Sequence, residues 1–289
     1  MANAKDIQKR IKSVTSTHKI TRTMEMVATS RFKRAVDRLV AARPFAETLP
    51  RMLALLAAGG GEAHPLLATR PVVKRVALLV LTTNRGLCGA INTNILRLAL
   101  RFVRKQETQG RAVDIYVVGR KGASYLRFIG RPVKFQTTEL TDQPQPEDAE
   151  RFATMLSDAF LAGEVDEVHV AFPRFKNAAE QPATLDRVLP LTLPADSEGR
   201  GTARPQFILE PDAERLLGEL LPLYLRNSFF RTLLEMAASE QGARRTAMKA
   251  ASDSAKEMIS NLTLSFNKAR QAQITKELLE IVGGAEALK

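Results

Sequence analysis

From Leu223 to the last residue the chain has no proline, and a narrow apolar seam keeps step along it. Alternating steps of four and three residues from Phe230 pass through Leu234, Ala237, Gln241, Arg244, Met248, Ala251, Ala255, Met258, Leu262, Ser265, Ala269, Ala272, Lys276 and Leu279. Four of these are polar. A stripe with a period near 3.5 suits a helix winding around one partner helix, whereas a helix lying on a broad core shows a wider apolar face. At about 1.5 Å per residue, about 60 residues make a helix about 90 Å long, more than an ordinary domain buries.

The first forty-odd residues predict the partner helix. Asn3 can cap it, and Asp6 sits in the first turn, where a carboxylate meets the positive end of the helix. Ile7, Ile11 and Val14 begin a seam that slips by one residue to Ile20, Met24 and Val27, then resumes at Phe32, Ala35 and Leu39. A slip of this kind implies a local change of winding. All 14 prolines fall between Pro44 and Pro222, which fits long helices at both ends.

Between the ends the rhythm changes. Residues 44–58 read as a continued helix with a bend at Pro44 or Pro50, closed by Gly59, Gly60 and Gly61. Strand and helix patterns then alternate: strands over 75–82, 113–118, 133–137 and 167–172, helices over 93–109, 121–128 and 147–162, and a further strand near 185–191. The first strand is an unbroken apolar run, the pattern of a strand covered on both faces. A parallel or mostly parallel sheet with helices on both sides follows. Residues 195–204 read as a loop, and 207–222 as the lead into the last helix. The expected division is 1–60, an N-terminal coiled-coil helix; 70–205, a central α/β domain; and 206–289, a C-terminal coiled-coil helix.

Charge adds a partner class. The net charge is +12, and residues 1–43 alone carry eleven Lys and Arg against three acids, whereas the middle of the chain is nearly balanced. A positive rod implies an acidic counter-surface: nucleic acid, an anionic membrane, or the wall of an acidic protein ring. Phe32 is the one aromatic in residues 1–43, and no helix-turn-helix, zinc or base-stacking pattern accompanies the charge. A basic coiled-coil nucleic-acid-binding or scaffold protein stands as the alternative reading. The single cysteine, Cys88, excludes an internal disulfide framework. The longest apolar runs, 76–81 and 52–58, are too short to span a bilayer, and Asp6 with the capping pattern argues against a transit peptide.

Candidate chemistry is thin. The turn Thr83-Asn84-Arg85-Gly86-Leu87-Cys88-Gly89 follows the first strand, where folds of this kind hold phosphates, but it lacks the dinucleotide fingerprint, and no GxxxxGK[ST] occurs in the chain. His18, His64 and His169 lack paired ligand spacing, and His18 falls on the N-terminal seam. Cys88 has no nearby histidine and reads as a small buried side chain. Glu147, Asp148 and Glu150 open a helix after Pro146, where acids stabilise the helix dipole. The expectation is no catalytic, cofactor-binding or metal site, and therefore no enzyme within this chain.

Three segments, KITRTMEMVATSRFKRA, TTNRGLCG and above all FNKARQAQITKELLEIVGGAEAL, resemble the gamma-subunit family of bacterial F-type ATP synthases. The resemblance implies a long antiparallel two-helix coiled coil plus a central Rossmann-like α/β domain. It further implies a rotor that carries torque between a proton-driven c ring and a catalytic ring of alternating alpha and beta subunits. The coil would stand inside that ring, and the central domain on the c ring beside the epsilon subunit, with no nucleic acid involved. The protein would be peripheral to the membrane through this complex, on the cytoplasmic face of the bacterial inner membrane. The family's beta-subunit contact maps onto Arg270 and Gln271, with Thr275 and Glu277 nearby, and Met24 matches a methionine close to the beta subunits. Phe207 and Glu210 match the segment facing the c ring. No cysteine-bearing insert of the chloroplast type is present, so thiol regulation is not expected.

Overall fold

The computed structural model describes residues 4–58, 64–192 and 213–286. Two helices dominate it: α1 (Ala4–Ala58) and α5 (Ala213–Glu286). Between them lie β1 (Arg75–Leu81), α2 (Ile91–Thr108), β2 (Ala112–Val118), α3 (Arg120–Phe128), β3 (Phe135–Thr137), α4 (Pro146–Leu161), β4 (Glu167–Pro173) and β5 (Ala183–Leu189). The chain divides into two compact units, one of Met1–Thr29 with Arg244–Lys289 and the other of Ser30–Ala243.

In the larger unit the strands form a five-stranded sheet in the order β3-β2-β1-β4-β5. Four run parallel, and β5 returns antiparallel to β4, so the sheet is mixed at one edge. Central β1 is buried from Val76 to Leu81, as its apolar run predicts, and only Arg75 at its start is exposed. Ala77, Leu79 and Leu81 face Phe152, Leu156 and Phe160 of α4, together with Leu49 and Leu53 of α1 and Leu221 and Leu225 of α5. Val76, Leu78 and Val80 face Ile91, Ile95 and Phe102 of α2 and Leu126 of α3. Asp166 anchors the start of β1. Its Oδ2 accepts from the backbone N–H groups of Lys74 and Arg75 at 2.7 and 2.9 Å, and Oδ1 accepts from Arg70 at 3.3 Å.

The long helices are antiparallel. Ala35 and Leu39 of α1 cluster with Leu234 and Ala238 of α5, while Leu49, Leu53 and Leu56 share a core with Leu217, Leu221 and Leu225, so positions rise along one helix as they fall along the other. Helix α1 continues through Pro44 and Pro50 to Ala58. Helix α5 takes in residues 213–222 of the segment read as a lead-in and contains Pro222; buried Leu217, Leu221 and Leu225 give the turns around the proline an apolar face that outweighs its missing N–H.

Two expectations about the seams need correction. On α1 there is no slip. Positions 7, 11, 14, 18, 21, 25 and 28 are all buried or half-buried, an unbroken heptad alternation that takes in His18, Thr21 and Glu25 and is flanked by half-buried Thr15 and Met24, while Ile20 and Val27 are 60% and 49% exposed. On α5 the alternate positions shift by one: Ser252 is buried and Ile259 and Phe266 are half-buried, whereas Met258 and Ser265 are exposed. Small Ala28 and Ala255 leave room for polar neighbours within the seam, and a constant 3.5-residue step costs less than a local rewinding. From 270 to 283 every residue is exposed, so Ala272, Lys276 and Leu279 do not continue the seam.

Candidate partner interface

The turn after β1 is closed on itself. Thr82 Oγ1 donates to the Val118 carbonyl at 2.8 Å and accepts from the Gly122 N–H at 2.9 Å. Asn92 Oδ1 accepts from the Thr83 N–H at 3.0 Å, and Asn92 Nδ2 donates to Thr83 Oγ1 at 2.8 Å. Asn84 Nδ2 donates to the carbonyls of Thr138 and Leu140, and Asn84 Oδ1 accepts from the Arg120 N–H. Gly119 permits this closure: its φ is +97°, and a Cβ there would lie 2.0 Å from the Thr82 carbonyl oxygen. The donors a phosphate would need at Thr83 and Arg120 are thus already used, and the turn locks strand ends together. Cys88, 2% exposed, is packed beneath it.

The three histidines serve in separate places. His18 is half-buried on the α1 seam. His64 Nδ1 accepts from the Leu66 N–H and caps a short 3₁₀ turn, Pro65–Leu67. His169 lies within β4 beside the Phe102 ring, its Nε2 2.8 Å from Glu167. Burial lowers the imidazole pKa of His169 more than Glu167 raises it. The acids at the start of α4 are structural: Asp148 accepts from the Gln145 N–H at 2.8 Å, and Glu150 pairs with Arg226.

The paired helices remain as the functional surface. Lys5, Lys9, Arg10, Lys12, Lys19 and Arg22 are exposed along α1, interleaved with exposed Ile20, Met26 and Val27. On α5 the exposed large apolar residues are Met258, Leu264, Ile274, Leu278, Leu279, Ile281 and Val282. Ile274, Leu278 and Ile281 are spaced by four and three and fall on one face of the helix, with Arg270 one turn before. Exposed apolar side chains repeated on one helix face mark a surface made to be covered by another chain.

Of the sequence-predicted contact residues, Arg270, Gln271, Thr275 and Glu277 share the exposed stretch of α5. Arg270 has no hydrogen bond or ion pair among the described residues, Thr275 Oγ1 donates to the Gln271 carbonyl at 3.0 Å, and Glu277 accepts from Gln273 at 3.0 Å. Met24, half-buried, does not join them: it lies twenty residues, about 30 Å of helix, beyond the Ala4 end of α1. Phe207 and Glu210 lie outside the described residues. The outward apolar set was missed from sequence because Ile20 and Val27 were given to the seam; their spacing of seven fits either face.

Long helices at both ends of the chain and a mixed α/β domain, with exposed basic and apolar side chains along the helices, define a class of subunits that work by contact with other chains. The family model described as ATP synthase matches residues 3–288. The ATP synthase gamma chain of Gemmatimonas aurantiaca is 43% identical over 100% of both chains, and that of Desulforamulus reducens is 44% identical over 100% of both. The chain belongs to the ATP synthase gamma chain family. Its fold is shared with a chain of the Tetrahymena thermophila mitochondrial ATP synthase central stalk and c ring, at TM-score 0.59 and 24% identity, covering 81% of this chain and 99% of that one. It is shared as well with a chain of the Euglena gracilis mitochondrial ATP synthase, at TM-score 0.65 and 19% identity, covering 99% and 94%. The nucleic-acid or scaffold alternative gains no support from these relationships.

Proposed function

We infer that this chain is the central-stalk rotor subunit of an ATP synthase, carrying torque between a proton-driven c ring and a catalytic ring of alternating alpha and beta subunits, with no catalytic site of its own. The observation that carries this reading is the match at 43% identity along the whole length to a gamma chain. The coil stands inside the alpha/beta ring, and the α/β domain forms the foot, beside the epsilon subunit and on the c ring. No described helix is long and apolar enough to cross a membrane, so membrane association runs through the complex, on the cytoplasmic face of the bacterial inner membrane.

A two-helix shaft presents different side chains on each of its sides. Turning inside a ring of three catalytic beta subunits, it meets each with a different contact energy, and that difference biases which conformation each adopts. The positive outer surface supplies attraction to acidic loops that depends on orientation and is weakened by salt. Arg270 and Gln271, with Thr275 and Glu277, are assigned to the beta-subunit contact near the end of α5, and Met24 to a second contact level along the shaft. Phe207 and Glu210 are assigned to the c ring. Residues 1–60 and 206–289 are assigned to the shaft and 70–205 to the foot.

Reconstitution tests this reading: alpha and beta subunits are purified with and without this chain, and ATP hydrolysis and association are measured. The chain is expected to be inactive alone, to co-purify with alpha and beta in substoichiometric amount, and to be required for hydrolysis to drive proton pumping in membranes. Failure to enter the alpha/beta complex would overturn it.

A further inference from the structure

Arg97, Arg101 and Arg104 stand at spacings of four and three on the outward face of α2, all exposed. Across a groove of about 440 Å³ they face Lys121 and Tyr125 of α3, with Asn92 and Thr93 at one end and Leu96 and Leu100 on the floor. No acid lines this groove. Among the described residues none of the four cations has an ion pair or hydrogen bond through its side chain, whereas the same domain pairs Arg75 with Asp114, Arg131 with Glu107, Lys134 with Asp114 and Glu164, and Arg151 with Glu139. Two further arginine-lined cavities carry acids: one near Arg31, Arg34 and Arg38 contains Asp37 and Asp142, with Asp142 paired to Arg31, and one near Arg70 and Arg75 contains Glu164 and Asp166, with Asp166 paired to Arg70.

Three like charges stacked on one helix face oppose one another and the helix that carries them. Arg75, Arg131, Lys134 and Arg151 of the same domain have acids beside them, whereas these four converge on a concave surface lined by none. Guanidinium groups present paired N–H donors matched to the oxygens of a phosphate, and a cluster of them favours a multiply charged ligand over a single carboxylate. Tyr125, 40% exposed, offers a ring face at the edge of the groove. We propose that the groove between α2 and α3 is a binding site for a phosphate-bearing polyanion, held by Arg97, Arg101, Arg104 and Lys121 and separate from the surfaces that meet the alpha and beta subunits. A free phosphate compound and an anionic lipid headgroup share this chemistry.

The test uses the full chain. Binding of pyrophosphate and of ADP is measured by titration calorimetry at low salt, and binding to vesicles of equal parts phosphatidylglycerol and phosphatidylcholine by sedimentation. The chain is compared with an Arg97→Gln/Arg101→Gln/Arg104→Gln variant, a Lys121→Gln variant and an Arg34→Gln control in the cavity beside Arg31. The substituted arginines are exposed, and their removal relieves repulsion, so the variants fold. Saturable pyrophosphate or ADP binding that weakens at least about tenfold in the triple variant, the loss of a charge-assisted hydrogen bond or more, and is unchanged in Arg34→Gln, supports the site with a free phosphate ligand. Vesicle binding with the same dependence, and no soluble ligand bound, supports it with a lipid ligand. Absence of binding in both arms, or an equal loss in Arg34→Gln, overturns it, since the charge then acts diffusely.

Discussion

The Phe32 ring of α1 lies against the bare backbone of Gly242 on α5, so close that a Cβ on the glycine would sit 3.1 Å from Phe32 Cε2. An aromatic knob filling a glycine hole fixes the register of the two helices on the domain side of the shaft, and Phe175 extends the contact as a second ring 5.8 Å away. Gly242→Val is expected to destabilise the chain by about 1–3 kcal/mol through overpacking. Pairing it with Phe32→Ala should recover part of that loss, because the added methyls then occupy the vacated space. Denaturant unfolding of the two single variants and the double variant measures this coupling, and strictly additive effects would show that the two residues do not pack.

Gly119 joins β2 to α3 under the Thr82 carbonyl, at φ +97° and with a Cβ position only 2.0 Å from that oxygen. Gly119→Ala is therefore expected to cost about 3 kcal/mol or more, combining left-handed strain with a collision against backbone. Gly89→Ala, whose φ is +61° but whose Cβ would meet nothing within 4 Å, should cost only the strain, about 1 kcal/mol. The difference between the two in thermal or urea unfolding isolates the close approach.

His169 gives the α/β domain an acid sensitivity. Burial lowers its pKa in the folded chain, against the opposing pull of Glu167, so the unfolded chain binds the proton more readily. Stability from this group is full above the unfolded value near 6.5 and falls as the pH drops below it toward the folded value. His169→Gln is expected to flatten that acid limb, read as the unfolding free energy across mildly acid pH. An unchanged slope would place the sensitivity elsewhere.

Met24 lies half-buried on α1, two residues after exposed Arg22 and next to half-buried Glu25. Met24→Lys adds a charge at a level assigned to the beta subunits, and a stronger orientation-dependent attraction should hinder rotation. ATP hydrolysis by the assembled complex is expected to remain measurable while protons pumped per ATP decline. Unchanged pumping per ATP would contradict that assignment.

Much of the architecture was legible in the sequence because strong patterns enforced it. The apolar run 76–81 could only be a strand covered on both faces, and the placement of prolines marked the long helices. The seam was read less well where apolar character and inward orientation part company. Ile20 and Val27 look like core residues and face outward, whereas Thr21 and Ser252, 8% and 4% exposed, are inside. A shaft that must be covered by other chains carries apolar residues on the wrong side for a monomer, and a single sequence does not say which side its partners take. Gly119 was passed over for a similar reason, since its need for a bare backbone comes from Thr82, far away in sequence. Arg270 and its neighbours came from resemblance alone: an exposed arginine with no ion pair among the described residues carries no local signal of what it meets.

The most direct measurement attaches a visible probe to the foot and watches it turn. Ser124→Cys on α3 offers an exposed attachment point while Cys88 stays buried, and alpha/beta complexes assembled with this chain can be fixed to a surface. With ATP supplied, the probe is expected to rotate in one direction with three pauses per turn, one for each catalytic site. Sustained hydrolysis with the chain bound and the probe stationary or randomly fluctuating would contradict the rotor assignment.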